Sequence, residues 1–377
     1  MKVFLVAGEP SGDRLGGALM AGLKQLAPGV AFDGIGGVQM AAQGLQSRFP
    51  MDELSVMGLA EVLPKYFHLK RRIRETAEAV LAEKPEVLIT IDSPDFCLRV
   101  AGLVKAASSI RTVHYVAPTV WAWRPGRAAK MAEVIDHVLA LFPFEPPLMT
   151  AAGMDCDFVG HPVVAEPQAT PEEIAGFREE TGLGDSDVLL VLPGSRRGEV
   201  ERLAPVFGAT LERFLADRPG LRVVVPAAGP VAGIVRSAVA GWPGQPVVID
   251  PGAVVWKRAA FRTATLALAA SGTVSLELAA AQTPMVIAYD MSRLSRMIIS
   301  RMLLVDTVTL VNLVSETRTV PEFIGSRCRP ELIAEGLARV LDDPDAQEAA
   351  MRLTMERLGL GGAPPGLRAA QAVLARM

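Results

Sequence analysis

Apolar runs of about five residues recur along the chain, each ending in a small or acidic turn and each followed by a stretch of helical periodicity. The first run, residues 2–7, breaks into Gly8-Glu9-Pro10-Ser11-Gly12-Asp13, and Leu15, Ala18, Leu19 and Leu23 then mark the inner face of a helix. Runs at 32–37, 86–90, 112–118, 137–144 and 156–159 repeat the device. After a Pro-, Glu- and Ala-rich segment ending near Pro171, a second series starts at 188–193 and continues at 222–226, 247–249, 265–270 and 284–288, with a short strand expected at 311–313. Alternation of this kind predicts an α/β protein with two doubly wound, Rossmann-like parallel-sheet domains facing across a cleft: residues 1–165, residues 166–345, and a helical tail over 346–377. A chain of 377 residues is long enough for two such cores.

The turn at 271–273 organises the second half. Ser271, Gly272 and Thr273 separate a strand from a helix, so the first N–H groups of that helix face outward with the positive end of its dipole behind them, a natural seat for phosphate. Glu277 lies one helical turn after Thr273, where a carboxylate could accept both hydroxyls of a ribose. A helix cap beside a surface glutamate fits the same spacing. Ser195 and Arg196, in the loop after 188–193, add a guanidinium fork suited to phosphate oxygens. Asn312 is either part of a structural network or a ligand contact. In the first half, Pro94 stops a strand just after Asp92, the edge at which doubly wound sheets place ligands, and Asp92 is the first candidate for a general base with Asp95 second. Glu9, Ser11 and Asp13 suit sugar hydroxyls better than phosphate, although an ordinary capped turn is equally consistent. Trp121 and Arg124, in a loop with Trp123 and Arg127, describe either a packed corner or a pocket for a lipidic or phosphorylated ligand.

Totals narrow the partners. A formal charge of −3 and 5% aromatic residues speak against a nucleic-acid surface. Three scattered cysteines, Cys97, Cys156 and Cys328, suggest neither a disulfide framework nor a zinc site, and fit reduced core thiols in a cytoplasmic protein. The first apolar run is too short for a signal peptide, and no stretch approaches the ~20 apolar residues of a membrane span. Two segments interleave bases with apolar side chains: residues 57–74, with Lys65, Lys70, Arg71, Arg72 and Arg74, and residues 291–304, with Arg293, Arg296 and Arg301. Each base near an anionic leaflet is worth about 1 kcal/mol, so both are candidates for a bilayer surface, with a solvated helix face as the plain alternative. The absence of G-x-G-x-x-G disfavours a nicotinamide-dependent dehydrogenase.

Seven motifs in order carry a resemblance: residues 6–13, residues 57–63, Ile91-Asp92-Ser-Pro-Asp95-Phe96, His114 through Arg124, Phe158-Val-Gly-His-Pro162, Leu192-Pro-Gly-Ser-Arg196, and Ser271-Gly-Thr-x-x-x-Glu277. Over residues 3 to about 325 the chain resembles the lipid-A-disaccharide synthases. The resemblance implies the GT-B fold and an inverting transfer of a 2,3-diacylglucosamine unit from UDP to the 6-hydroxyl of 2,3-diacylglucosamine 1-phosphate. It further implies Asp92 or Asp95 as base, Glu9, Ser11 and Asp13 on the sugars, and Arg196 with the amides of Gly272 and Thr273 on the leaving diphosphate. Glu277 would meet the ribose and Asn312 the donor. No metal or cofactor is expected, since a GT-B site uses helix N-termini and arginine for the leaving group. The pairs Asp155/Asp157 and Asp185/Asp187 have a manganese-binding spacing but read as surface turns. Peripheral attachment to the cytoplasmic face of the inner membrane is expected, and the resemblance suggests a homodimer. Pro10 and Cys97 stand where Ser or Thr, and Asn, are expected in relatives. The rivals are another GT-B enzyme acting on a UDP-amino sugar, such as an epimerase, and a catalytically silent nucleotide- or lipid-binding module.

Overall fold

The computed structural model describes residues 1–54, 59–124, 126–291 and 302–377, with side chains except at 59–65. They form two compact units, one of Met1–Ala165 with Leu358–Met377 and one of Glu166–Arg357.

The first unit holds a six-stranded sheet, every neighbouring pair parallel, in the order β2-β1-β3-β4-β5-β6. Its strands are β1 (Lys2–Ala7), β2 (Ala31–Ile35), β3 (Val87–Ile91), β4 (Arg111–Tyr115), β5 (His137–Ala140) and β6 (Asp155–Phe158). Val3 to Ala7 of β1 are fully buried because helices cover both faces, so the strand reads as a continuous apolar run rather than an alternating one. Each such Val, Leu or Phe contributes roughly 1.5–3 kcal/mol. The chain leaves β1 toward one edge and β3 toward the other, so the order reverses between them, and the carboxyl ends of β1 and β3 flank that crevice.

The second unit repeats the plan with β7 (Val188–Leu192), β8 (Arg222–Pro226), β9 (Val247–Ile249), β10 (Leu266–Ala270), β11 (Met285–Tyr289) and β12 (Glu322–Ile324) in the order β12-β11-β10-β7-β8-β9. Its switch point lies between β10 and β7.

Three expectations change. Residues 311–313 belong to a short helix, Leu310–Ser315, and the sixth strand is β12 instead. The helix is buried on most sides, and a short run buried all round carries no periodicity by which helix and strand could be told apart. Residues 346–377, expected as one tail, divide between the units. Helix Asp345–Arg357 packs in the second, whereas helix Pro365–Ala375 lies along helix Pro10–Leu26 in the first. Arg368 donates to the Phe158 carbonyl (3.0 Å) and Arg376 to the Asp157 carboxylate (2.5 Å), which ties the returning helix to β6. Asp155 and Asp157 are therefore on a strand and ion-paired with Arg376, not in a surface turn.

Cys97, Cys156 and Cys328 are free and buried. No helix among the described residues is long and apolar enough to cross a membrane. Residues 57–58 of the first basic segment and 292–301 of the second lie outside the described residues, while the rest of the first falls on helix Leu59–Glu83.

Candidate functional site

In the second unit a pocket of about 320 Å³ opens at the switch point. The loop after β7 and the turn after β10 form its two walls, with Gly194, Ser195 and Glu199 on one side and Ser271, Gly272, Thr273 and Glu277 on the other. The ends of β8 and β9, Pro226 to Gly229 and Ile249 to Pro251, supply the rest of the wall. Helix Val274–Ala280 begins without a side-chain cap: the Thr273 hydroxyl makes no capping bond, and Gly272 and Thr273 are exposed. The cap reading is therefore not realised, and the hydroxyls of Ser271 and Thr273 remain available to a ligand.

Across the pocket the helix starting at Arg197 is closed off differently. Glu199 folds back to accept the N–H groups of Ser195 (3.1 Å) and Arg196 (3.3 Å). A carboxylate already occupies the place an anion would take, so an incoming phosphate meets the 271–273 turn in preference to this one. The Arg196 side chain is 70% exposed and touches Glu199 only at 3.5 Å, so little holds it in one position. Arg196 does not itself line the pocket, although its neighbour Ser195 does. Glu277 is not a bare carboxylate: Lys257 Nζ lies 2.6 Å from its Oε2 and sits over the Phe261 ring. Lys257 lines the pocket and was missed in the sequence because it lies 20 residues from Glu277 on a different helix. Asn312 is elsewhere. It is buried, donates to Thr307 and the Val320 carbonyl and accepts the Val320 N–H, which makes it a structural network residue.

In the first unit the rim of the sheet is strained. Asp92 and Ser93 both adopt left-handed backbone angles, φ 51° and 45°, Val116 follows β4 at φ 90°, and Arg124 sits at φ 54°. Consecutive left-handed residues other than glycine, and a β-branched residue at positive φ, are costly and gather at functional rims. Asp92 is half-buried at the end of β3, its N–H bonded to the Tyr115 carbonyl (3.0 Å). The end of β1 presses against the same loop, since a Cβ at Gly8 would stand 2.7 Å from Ser93 Oγ. The loops carrying Glu9 and Asp92 are thus neighbours at the switch point, with Glu9 half-buried and Ser11 and Asp95 exposed.

Asp13 departs from the expected sugar contact. It is 5% exposed, and its carboxylate accepts N–H groups from Gly37 (2.8 Å), Gln39 (2.9 Å) and Met40 (3.0 Å). It caps helix Val38–Ala42, and its burial under those three donors keeps it from a sugar. Trp121 packs edge-on against Phe142 and Phe144, and its indole donates to Glu145 (3.3 Å). Arg124 is exposed and stacks over Trp123 at 4.4 Å. Among the described residues no group of three His, Cys, Asp or Glu could hold a metal ion.

A family model described as lipid-A-disaccharide synthetase matches residues 3–363. A lipid-A-disaccharide synthase of Ruegeria pomeroyi is 71% identical over all of this chain and 96% of its own length, and one of Rhodospirillum centenum is 48% identical over 99% of this chain and 94% of its own. Among solved structures, the UDP-GlcNAc 2-epimerase of Neisseria meningitidis bound to UDP-GlcNAc superposes with a TM-score of 0.66 at 12% identity, covering 100% of this chain and 99% of that one. The UDP-GlcNAc 2-epimerase of Methanocaldococcus jannaschii, in complex with UDP-GlcNAc and UDP, gives 0.64 at 14% identity with full coverage of both chains. These two likenesses concern the fold alone, which is the GT-B fold.

Proposed function

The chain belongs to the lipid-A-disaccharide synthase family, and from that premise we propose how its two units divide the reaction. It is a glycosyltransferase of lipid A biosynthesis, and the family assignment, not the distant fold likeness, decides against an epimerase. The reaction joins UDP-2,3-diacylglucosamine to 2,3-diacylglucosamine 1-phosphate. The second unit takes the UDP moiety: Ser271, Gly272 and Thr273 with Arg196 receive the diphosphate, and Glu277, held by Lys257, receives the ribose. The first unit takes the acceptor, with Glu9, Ser11, Trp121 and Arg124 around it and Asp92 as the base. The acceptor O6 attacks C1 of the donor from the face opposite the diphosphate. The bond from C1 to the phosphate oxygen breaks, UDP leaves with the electron pair, and the hydroxyl proton passes to Asp92. Charge gathers on the leaving phosphate, where amide dipoles and a guanidinium stabilise it.

The observation that carries this reading is the pocket at the β7/β10 switch point, whose wall joins uncapped hydroxyls to a Lys257–Glu277 pair. With both sugar substrates and EDTA present, UDP and disaccharide are expected to form in equal amounts. UDP release without disaccharide, or a loss of activity on adding EDTA, contradicts it.

Peripheral membrane attachment is part of the same reading. On helix Leu59–Glu83 Tyr66 and Phe67 are exposed, Phe67 by 81%, beside exposed Lys70, Arg71 and Arg74. Arg72 and His68 are instead turned to Glu53, so fewer bases face outward than the sequence suggested. Flotation with anionic vesicles is expected at low salt and should fade as salt approaches about 1 M, where the Debye length falls to about 3 Å. A protein that stays at the bottom of the gradient at low salt would defeat the idea.

A further inference from the structure

We infer that Glu145 is a positioning residue whose carboxylate holds the Trp121 indole, and with it the loop after β4, in the orientation that meets the acceptor sugar. The inference rests on the acceptor-site reading above. Glu145 lies just beyond β5 and is 2% exposed. Its Oε2 accepts the N–H groups of Leu141 (3.0 Å) and Phe142 (2.9 Å), and its Oε1 accepts Trp121 Nε1–H. The loop otherwise bonds to itself, Ala122 and Trp123 both donating to the Thr119 carbonyl and the Trp123 indole to the Thr119 hydroxyl. Among the described residues the Trp121 indole makes the loop's one side-chain hydrogen bond to another element. Phe142 and Phe144, stacked at 5.3 Å, form the wall on which the indole rests.

A buried carboxylate is costly unless its partners require it. Here they do. All three are N–H donors, and only an ionised carboxylate presents acceptors alone on both oxygens. A carboxamide would keep one accepting oxygen for the two backbone donors and turn its NH2 toward the indole N–H. Protonation does the same, by placing an O–H among donors. Among the described residues no cation pairs with Glu145, and burial pushes its carboxyl up to about 7. The titratable groups around it are the Cys156 thiol on β6, pushed up to about 12, and the His161 imidazole across the Phe142 ring, pushed down to about 4, both by burial. Neither changes charge between about pH 5.5 and 8.5.

Glu145→Gln and Trp121→Phe remove the same bond from opposite ends. Each is expected to raise the acceptor KM about tenfold, the equivalent of about 1.4 kcal/mol, with kcat and the donor KM unchanged. The double variant should be no worse than either single one. Wild-type acceptor KM should rise as the pH falls through about 7, and Glu145→Gln should lose that dependence. Tryptophan emission reads the same bond without turnover: the wild type should show a transition near pH 7 that Glu145→Gln lacks. Trp121→Phe keeps the backbone bonds of Glu145 and serves if the other variant does not fold. Additive KM effects, or a wild-type emission that is flat through pH 7, overturn the inference. A wild type that shows the emission transition but no disaccharide formation instead fails the functional reading on which it rests.

Discussion

Asp92→Asn is expected to lower kcat by about 10²–10⁴-fold while UDP binding in the second unit is unchanged. Asparagine keeps the shape of the side chain and cannot accept the proton. The backbone at Asp92 is left-handed, φ 51°, a conformation that asparagine tolerates better than most residues. The Asp92 N–H bond to the Tyr115 carbonyl needs no side chain, so the loop should keep its form. The check is steady-state kinetics of the variant beside calorimetric UDP binding. Asp95→Asn is the control: its carboxylate is exposed in the first turn of helix Pro94–Ala107, and its loss should cost far less. If Asp95→Asn is the inactive variant and Asp92→Asn is not, the assignment of the base moves to Asp95.

The second large effect concerns stability. Gly34→Ala is expected to destabilise the first unit by more than about 4 kcal/mol, the range reached only when a substitution has no room to relax. Gly34 pairs with Leu5 across β2 and β1 at φ 140°, and a Cβ there would stand 1.8 Å from the Leu5 carbonyl oxygen. That oxygen is backbone of a strand buried from Val3 to Ala7, so the clash cannot be relieved by a side-chain rotation. The strands would have to part beside the loops that carry Glu9 and Asp92. Denaturant unfolding followed by circular dichroism gives the measurement. A variant within about 1 kcal/mol of the wild type would mean that the sheet edge yields, contrary to the packing argument.

Much of this architecture was legible in the order of residues. Strand, small turn and helix recur because a strand buried on both faces must be apolar throughout, and because glycine, serine and acidic residues mark where the chain leaves a sheet. That local grammar located Asp92 at the end of β3 and Ser271, Gly272 and Thr273 at the end of β10. Eleven of the twelve strands among the described residues follow from it. It failed at residues 311–313, where burial on most sides erased the period, and β12 is only three residues long.

What the chain's order could not disclose is who meets whom across long separations. Asp13 looks like a loop acid until Gly37, Gln39 and Met40 are seen to bond to it. The same holds for Lys257 and Glu277, for Trp121 and Glu145, and for the last helix, which returns to β6 and helix Pro10–Leu26. Backbone patterning is decided by neighbours within a turn or a strand, so it is written locally. The charge state and availability of a side chain depend on the partners and the burial that folding brings to it, and no single residue's surroundings in sequence contain that information.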